Sequence, residues 1–70
     1  MATPLKELRE SRGLNQRDLA LLSGLNRRTI SELENGERKP YPYSRNKLAR
    51  ALHVKPEEIT YPAFHDGDDS

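Results

Sequence analysis

The sequence contains no cysteine and no tryptophan. Without cysteine there is neither a disulfide framework nor a zinc–thiolate staple, so stability must come from helix packing or from a second chain, and a reducing, cytoplasmic setting is expected. No apolar run approaches the ~18–20 residues of a membrane-spanning helix, and Met1 to Leu8 lacks the apolar core of a secretory signal. Strand-period alternation of apolar and polar residues is missing throughout. Aromatic residues are few, and Tyr41, Tyr43, Tyr61 and Phe64 all follow residue 40, which leaves the first half an aliphatic interior. Catalytic equipment is equally thin. With His53 and His65 as the only histidines, no thiol nucleophile and no phosphate-cradling glycine loop, the chain is not expected to be an enzyme or to bind a cofactor or metal. His65, Asp66, Asp68 and Asp69 have metal-binding side chains but read as a solvated tail.

Seventy residues make one small domain. Such a chain buries only about 60% of its unfolded surface, and its core supplies roughly 3–5 kcal/mol, so an elaborate enclosed site is not expected. The net charge of +1 conceals an asymmetry. Residues 1–55 hold all 12 Lys and Arg, against six acids, whereas residues 56–70 hold five acids and no base. Residues 1–60 are therefore expected to form the folded unit, and residues 61–70 an acidic, largely flexible tail. A basic body suits an anionic partner, though a mixed solvated surface has the same composition.

Local signals divide the body into helices. Thr3-Pro4 reads as an N-cap and first turn, Leu5 and Leu8 recur at i, i+3, and Gly13 follows, giving a first helix over about 4–12. Asn15 is placed to cap a second helix by accepting the amide of Asp18, with Leu19, Ala20 and Leu22 inward. Asn26 is placed to cap a third, on which Ile30, Leu33 and Glu34 share a face before Asn35-Gly36 ends it. Pro40 and Pro42 make 37–43 a loop. A fourth helix is expected over about 43–52, with Leu48, Ala51 and Leu52 inward, and Pro56-Glu57-Glu58 opens a short fifth turn. The expected fold is a compact five-helix, all-α domain.

The second and third helices carry a spacing with a physical meaning. Ala20 is small where two helices approach, Gly24 is free to take positive φ in the turn, and Ile30 and Leu33 seat the second helix of the pair. An ordinary helical hairpin has no reason for that register. The chain here resembles the Cro/phage-repressor, or XRE, family of helix-turn-helix proteins. The likeness runs through Leu5-Lys6-Glu7-Leu8-Arg9, Leu14-Asn15-Gln16-Arg17-Asp18-Leu19-Ala20, Thr29-Ile30-Ser31-Glu32-Leu33-Glu34-Asn35-Gly36, Arg38-Lys39-Pro40 and Leu48-Ala49-Arg50-Ala51-Leu52. It implies a five-helix, lambda-repressor-like domain whose third helix enters the DNA major groove.

With Ile30, Leu33 and Glu34 inward, Arg27, Arg28, Ser31, Glu32 and Asn35 face out. Arginine pairs bidentately with guanine, and a carboxylate accepts from cytosine N4, so Arg27, Arg28 and Glu32 are candidate base readers, with Asn26 and Ser31 behind them. The alternative is that Arg28 and Glu32 merely pair with each other at i, i+4. Gln16, at the amino end of the second helix, is a phosphate-contact candidate, as its counterpart is in the family. Asn15, Asn35, Arg38 and Lys39 are further backbone candidates, and Asn15 serves equally as a cap alone. Arg9 and Glu34 place opposite charges on two core-facing stripes and are expected to form a structural ion pair, which the resemblance also implies.

Three positions depart from the family pattern. His53 stands where glycine is usual, and Pro42 and Arg45 replace apolar residues, so the fourth helix is expected to begin late. Leu21 points outward. The leading reading is a sequence-specific duplex-DNA-binding regulator of bacterial or phage origin, a repressor rather than an activator. It is expected to act as a homodimer on a palindromic operator, with Val54, Ile59, Tyr61 and Phe64 available for contact between copies, although Tyr61 and Phe64 are expected to pack back on the fourth helix rather than against a second copy. Phage repressors, restriction-modification controllers and antitoxins share this architecture. The alternatives are an adaptor or coactivator that uses the same domain to hold another protein, or the antitoxin of a toxin–antitoxin pair.

Overall fold

A computed structural model describes residues 2–64. The order is β1 (Thr3–Pro4), α1 (Leu5–Ser11), α2 (Gln16–Ser23), α3 (Arg27–Asn35), α4 (Pro42–Leu52), a single 3₁₀ turn (Pro56–Glu58) and β2 (Ile59–Thr60). The domain is thus four α-helices and one helical turn around a common core. Leu5, Leu19, Ile30, Leu33, Leu48 and Leu52 are its fully buried side chains, joined by Leu8, Ala20, Ala49 and Ile59.

Most element boundaries follow from local chemistry. Asn15 accepts from the Asp18 amide at 2.7 Å while the Asp18 carboxylate accepts from the Asn15 amide at 3.1 Å, a reciprocal cap that satisfies two otherwise orphaned N–H groups. Asn26 accepts from the Thr29 amide at 3.0 Å in the same way. Gly24 ends α2 at φ 78° with its amide on the Ala20 carbonyl, which turns the chain into α3 within three residues. At the end of α4, His53 takes φ 60°, so a side chain with a Cβ occupies a left-handed cap that glycine fills without strain.

Several expectations need correction. Thr3 is not a helix cap. Thr3–Pro4 runs extended and pairs in parallel with Ile59–Thr60, a contact between the two ends of the domain too short to show an alternating pattern. Leu22 is exposed, and Ser23 takes the inward place, because Leu19, Ala20 and Ser23 lie within one narrow arc of α2 while Leu22 lies roughly 100° away from its centre. On α4, Ala49 is buried between Leu48 and Leu52, whereas Ala51 is only half-buried. That helix begins at Pro42, not late, since a proline at the first helical position gives up an N–H that has no acceptor there. Ile59 is a core residue and is not available to a second copy. Tyr61 packs back against the core as expected, whereas Phe64 is exposed and does not; residues 65–70, with His65 and the three tail aspartates, lie outside the described residues. No described helix is long and apolar enough to cross a membrane.

Candidate nucleic-acid interface

The helix α3 is held by its inner face and presents its outer one. Ile30 and Leu33 are buried, and Glu34 between them and the surface keeps its side chain only 2% exposed. Its carboxylate accepts from Arg9 Nε at 2.6 Å and Nη2 at 3.1 Å, and from Gln16 Nε2 at 3.0 Å. Arg9 also donates through Nη1 to the Leu14 carbonyl at 2.8 Å, so all three guanidinium nitrogens are engaged. The hydrogen bond to Glu34 outweighs burial and raises the Arg9 pKa further above its ordinary range. Three elements, α1, the start of α2 and α3, are thereby locked through one carboxylate.

On the outer side, Gln16, Arg27, Arg28, Ser31, Glu32 and Glu37 line one shallow concavity. Arg27, Arg28 and Asn35 are exposed, and Ser31 and Glu32 are half-buried. Glu32 binds two arginines at once, Arg28 through Nε at 3.1 Å and Arg38 through Nε at 2.8 Å. Their hydrogen bonds, Arg38 foremost and then Arg28, hold the Glu32 carboxyl below its usual range. Lys39, next in the loop, lies with its ammonium 5.8 Å from the Tyr41 ring centre. The structure thus brings Gln16, Arg27, Arg28, Ser31 and Glu32 to one surface. Asn15 and Asn26 sit at the amino ends of α2 and α3, where their side-chain oxygens serve the caps, Asn26 also accepting from the Thr29 hydroxyl.

Sequence reasoning missed the bond from Arg38 back to α3. Its signal is Gly36, at φ 76°, which reverses the chain so that a residue six positions on meets Glu32. It also missed the tie between Gln16 and Glu34, and Arg12, whose Nε and Nη2 close the end of α4 by donating to the Leu52 carbonyl at 3.2 and 3.0 Å. Among the described residues no group of acidic and histidine side chains is arranged to hold a metal.

A short turn fixed by Ala20 and Gly24, an inner face on Ile30 and Leu33 and a polar outer face define a helix-turn-helix module. The family model described as helix-turn-helix matches residues 5–59, and the chain belongs to that family. It is 44% identical over 62 residues to the uncharacterized HTH-type transcriptional regulator RghRB of Bacillus subtilis, covering 87% of this chain and 45% of the relative. It is 43% identical over 60 residues to the HTH-type transcriptional repressor RghR of the same organism, covering 84% and 44%. The chain therefore spans less than half the length of these two relatives. Among solved structures, the restriction-modification controller protein C.AhdI from Aeromonas hydrophila superposes with a TM-score of 0.75 at 44% identity, over 77% of this chain and 82% of that one.

Proposed function

We propose that residues 1–60 form a sequence-specific DNA-binding module of a transcription regulator, acting as a repressor by occupying its operator, with 61–70 as an acidic appendage. The observation that carries this reading is the outer face of α3, which presents Arg27 and Arg28 to solvent from a helix whose inner face is fixed. Lying in the major groove, that helix offers Arg27 and Arg28 to base edges, with Ser31 and Asn26 beside them. In this reading Gln16, Asn15, Asn35, Arg38 and Lys39 serve phosphates, which set register but carry no sequence information. A module this small binds one half-site weakly, so it works as a homodimer on an inverted repeat, in the cytoplasm and without catalysis or cofactor. The names of its relatives, a transcriptional repressor and a controller protein, support regulation rather than enzymatic activity.

A second reading, as an adaptor or antitoxin that holds a protein, is favoured by Leu21 and Leu22, adjacent on α2 and 78% and 59% exposed. Selection from random duplexes at ~50 mM salt, followed by sequencing, decides between them. Enrichment of an inverted repeat with half-sites about 34–36 Å apart, or a multiple, is the expected result. Binding to any duplex with no enriched sequence overturns the reading in favour of the adaptor.

A further inference from the structure

The two arginines that meet on Glu32 are not equally open to solvent. The Arg28 side chain is 85% exposed and that of Glu32 only 19%, so a molecule approaching α3 meets Arg28 first and finds Glu32 behind it. The contact uses only Nε of Arg28, at 3.1 Å from Glu32 Oε2. Its two terminal nitrogens have no hydrogen-bond partner among the described residues, and they form the end of the fork that matches guanine O6 and N7. The other carboxylate oxygen, Oε1, takes Arg38 through both Nε at 2.8 Å and Nη2 at 2.7 Å. Each oxygen thus already carries an arginine before any base arrives. Helix stability gives no reason for the arrangement, since Arg preceding Glu at i, i+4 is the weaker order and the pair is solvated.

We infer that Glu32 is a positioning residue and not a cytosine reader: it fixes Arg28 by Nε with the open end of the guanidinium outward for a guanine, and ties Arg38 to the same helix. This rests on α3 being the DNA-reading helix, as proposed above. An arginine already held at Nε has less rotamer freedom to lose on binding, so the correct base gains affinity through pre-organisation. The same carboxylate opposes indiscriminate binding, because it offsets cationic charge that would otherwise meet phosphate. Glu32 therefore raises specificity from both directions, by favouring the right site and by weakening the rest.

The test compares base preferences and salt dependence of wild type, Arg28→Ala, Glu32→Ala and the double variant on duplexes carrying every single-base change in the selected site. Glu32→Ala is expected to flatten preference at the base pair that Arg28→Ala flattens, about tenfold. The double variant is expected to be no flatter than Arg28→Ala alone. Binding of Glu32→Ala to an unrelated duplex tightens, whereas a merely structural loss weakens both kinds of binding. Glu32→Gln, which keeps the side-chain length, checks the result against a folding defect and is expected to flatten the same base pair. Flattening at a base pair that Arg28→Ala leaves intact overturns the proposal, because Glu32 then reads a base itself. Unchanged preferences in Glu32→Ala overturn it too, while leaving DNA reading by α3 in place. A wild type with no sequence preference removes the DNA-reading function, and the positioning role falls with it.

Discussion

Glu34 and Glu32 lie two residues apart on α3 and each accepts from arginine, yet their side chains are 2% and 19% exposed and their partners come from different parts of the fold. Glu34 binds residues of two other helices, Arg9 of α1 and Gln16 of α2, and so fixes where α3 sits. Glu32 binds Arg28 of its own helix and Arg38 of the following loop, and so fixes only what α3 displays. The same ion-pair chemistry holds the fold at one position and arranges a surface at the other. What separates them is desolvation, which makes an unpaired Glu34 costly and leaves an unpaired Glu32 to water.

The largest expected effect breaks the inner pair. Glu34→Ala or Arg9→Ala leaves a buried charge without its partner and should cost about 3–5 kcal/mol, as much as a core of this size supplies, so that each variant melts more than ~10 °C lower or does not fold at all. Arg17→Ala, on the exposed side of α2, is the control and should move it little. Glu32→Ala should also melt close to wild type. Replacing both inner partners, Arg9→Met with Glu34→Leu, should recover much of the loss, because no charge is then left buried. Thermal melts followed by circular dichroism decide it, and similar melting temperatures for Glu34→Ala and Glu32→Ala would erase the distinction.

How much of this was legible in the sequence depends on the range of each interaction. The caps at Asn15 and Asn26 and the turns at Gly24 and Gly36 involve residues within four positions of each other, so α2 and α3 could be placed from local chemistry. Arg9 and Glu34 were readable as a pair because each interrupts an apolar stripe with charge. Thr3–Pro4 against Ile59–Thr60 was not, since two residues carry no periodicity and their partners lie at the other end of the domain. Leu22 was misplaced because a short helix with three leucines admits more than one inward arc. The half of Glu32's surroundings contributed by Arg38 was harder to read, because Gly36 marks the chain reversal but not which side chain of the returning loop meets α3.

A smaller effect tests whether the end of α3, which carries both glutamates, depends on the segment crossing it. At Gly36 a new Cβ would lie 2.9 Å from the Ala63 carbonyl oxygen, whereas at Gly24 the nearest atom is the mobile Lys47 Nζ at 3.7 Å. Both glycines have positive φ, so alanine costs about 1–2 kcal/mol at either from backbone strain alone. Gly36→Ala should exceed Gly24→Ala, read as urea midpoints, because a backbone oxygen must also move. Equal midpoints would show that residues 62–64 contribute nothing to holding the helix end.

Alkali and acid separate the two sides of α3 further. On the inner side, Tyr61 lines the same pocket as Glu34, and its hydroxyl is buried without a hydrogen-bond partner among the described residues. Burial, partly offset by Arg45, pushes its pKa up to about 12 from 10.0. The folded state thus prefers the neutral phenol, and this contribution is complete below pH 10.0 and is lost as pH rises towards about 12. Tyr61→Phe should lose less stability than wild type over that interval, as measured by urea midpoints at the two ends of the range.

The smallest effect belongs to Glu32, whose carboxyl Arg38 and Arg28 hold below 4.5. Its depressed pKa favours the charged form in the folded chain, so the clamp is intact above 4.5 and opens as pH falls through the lowered value. Being exposed, it should also weaken as salt rises from ~0.1 to ~1 M, where the screening length falls from about 10 to about 3 Å. Nε–H resonances report each arginine separately. Those of Arg28 and Arg38 should shift and exchange faster under both treatments while that of Arg9, enclosed with Glu34, stays in place. If Arg9 moved with them, the inner pair would be as open to solvent as the outer one, and the desolvation that separates the two glutamates would not exist.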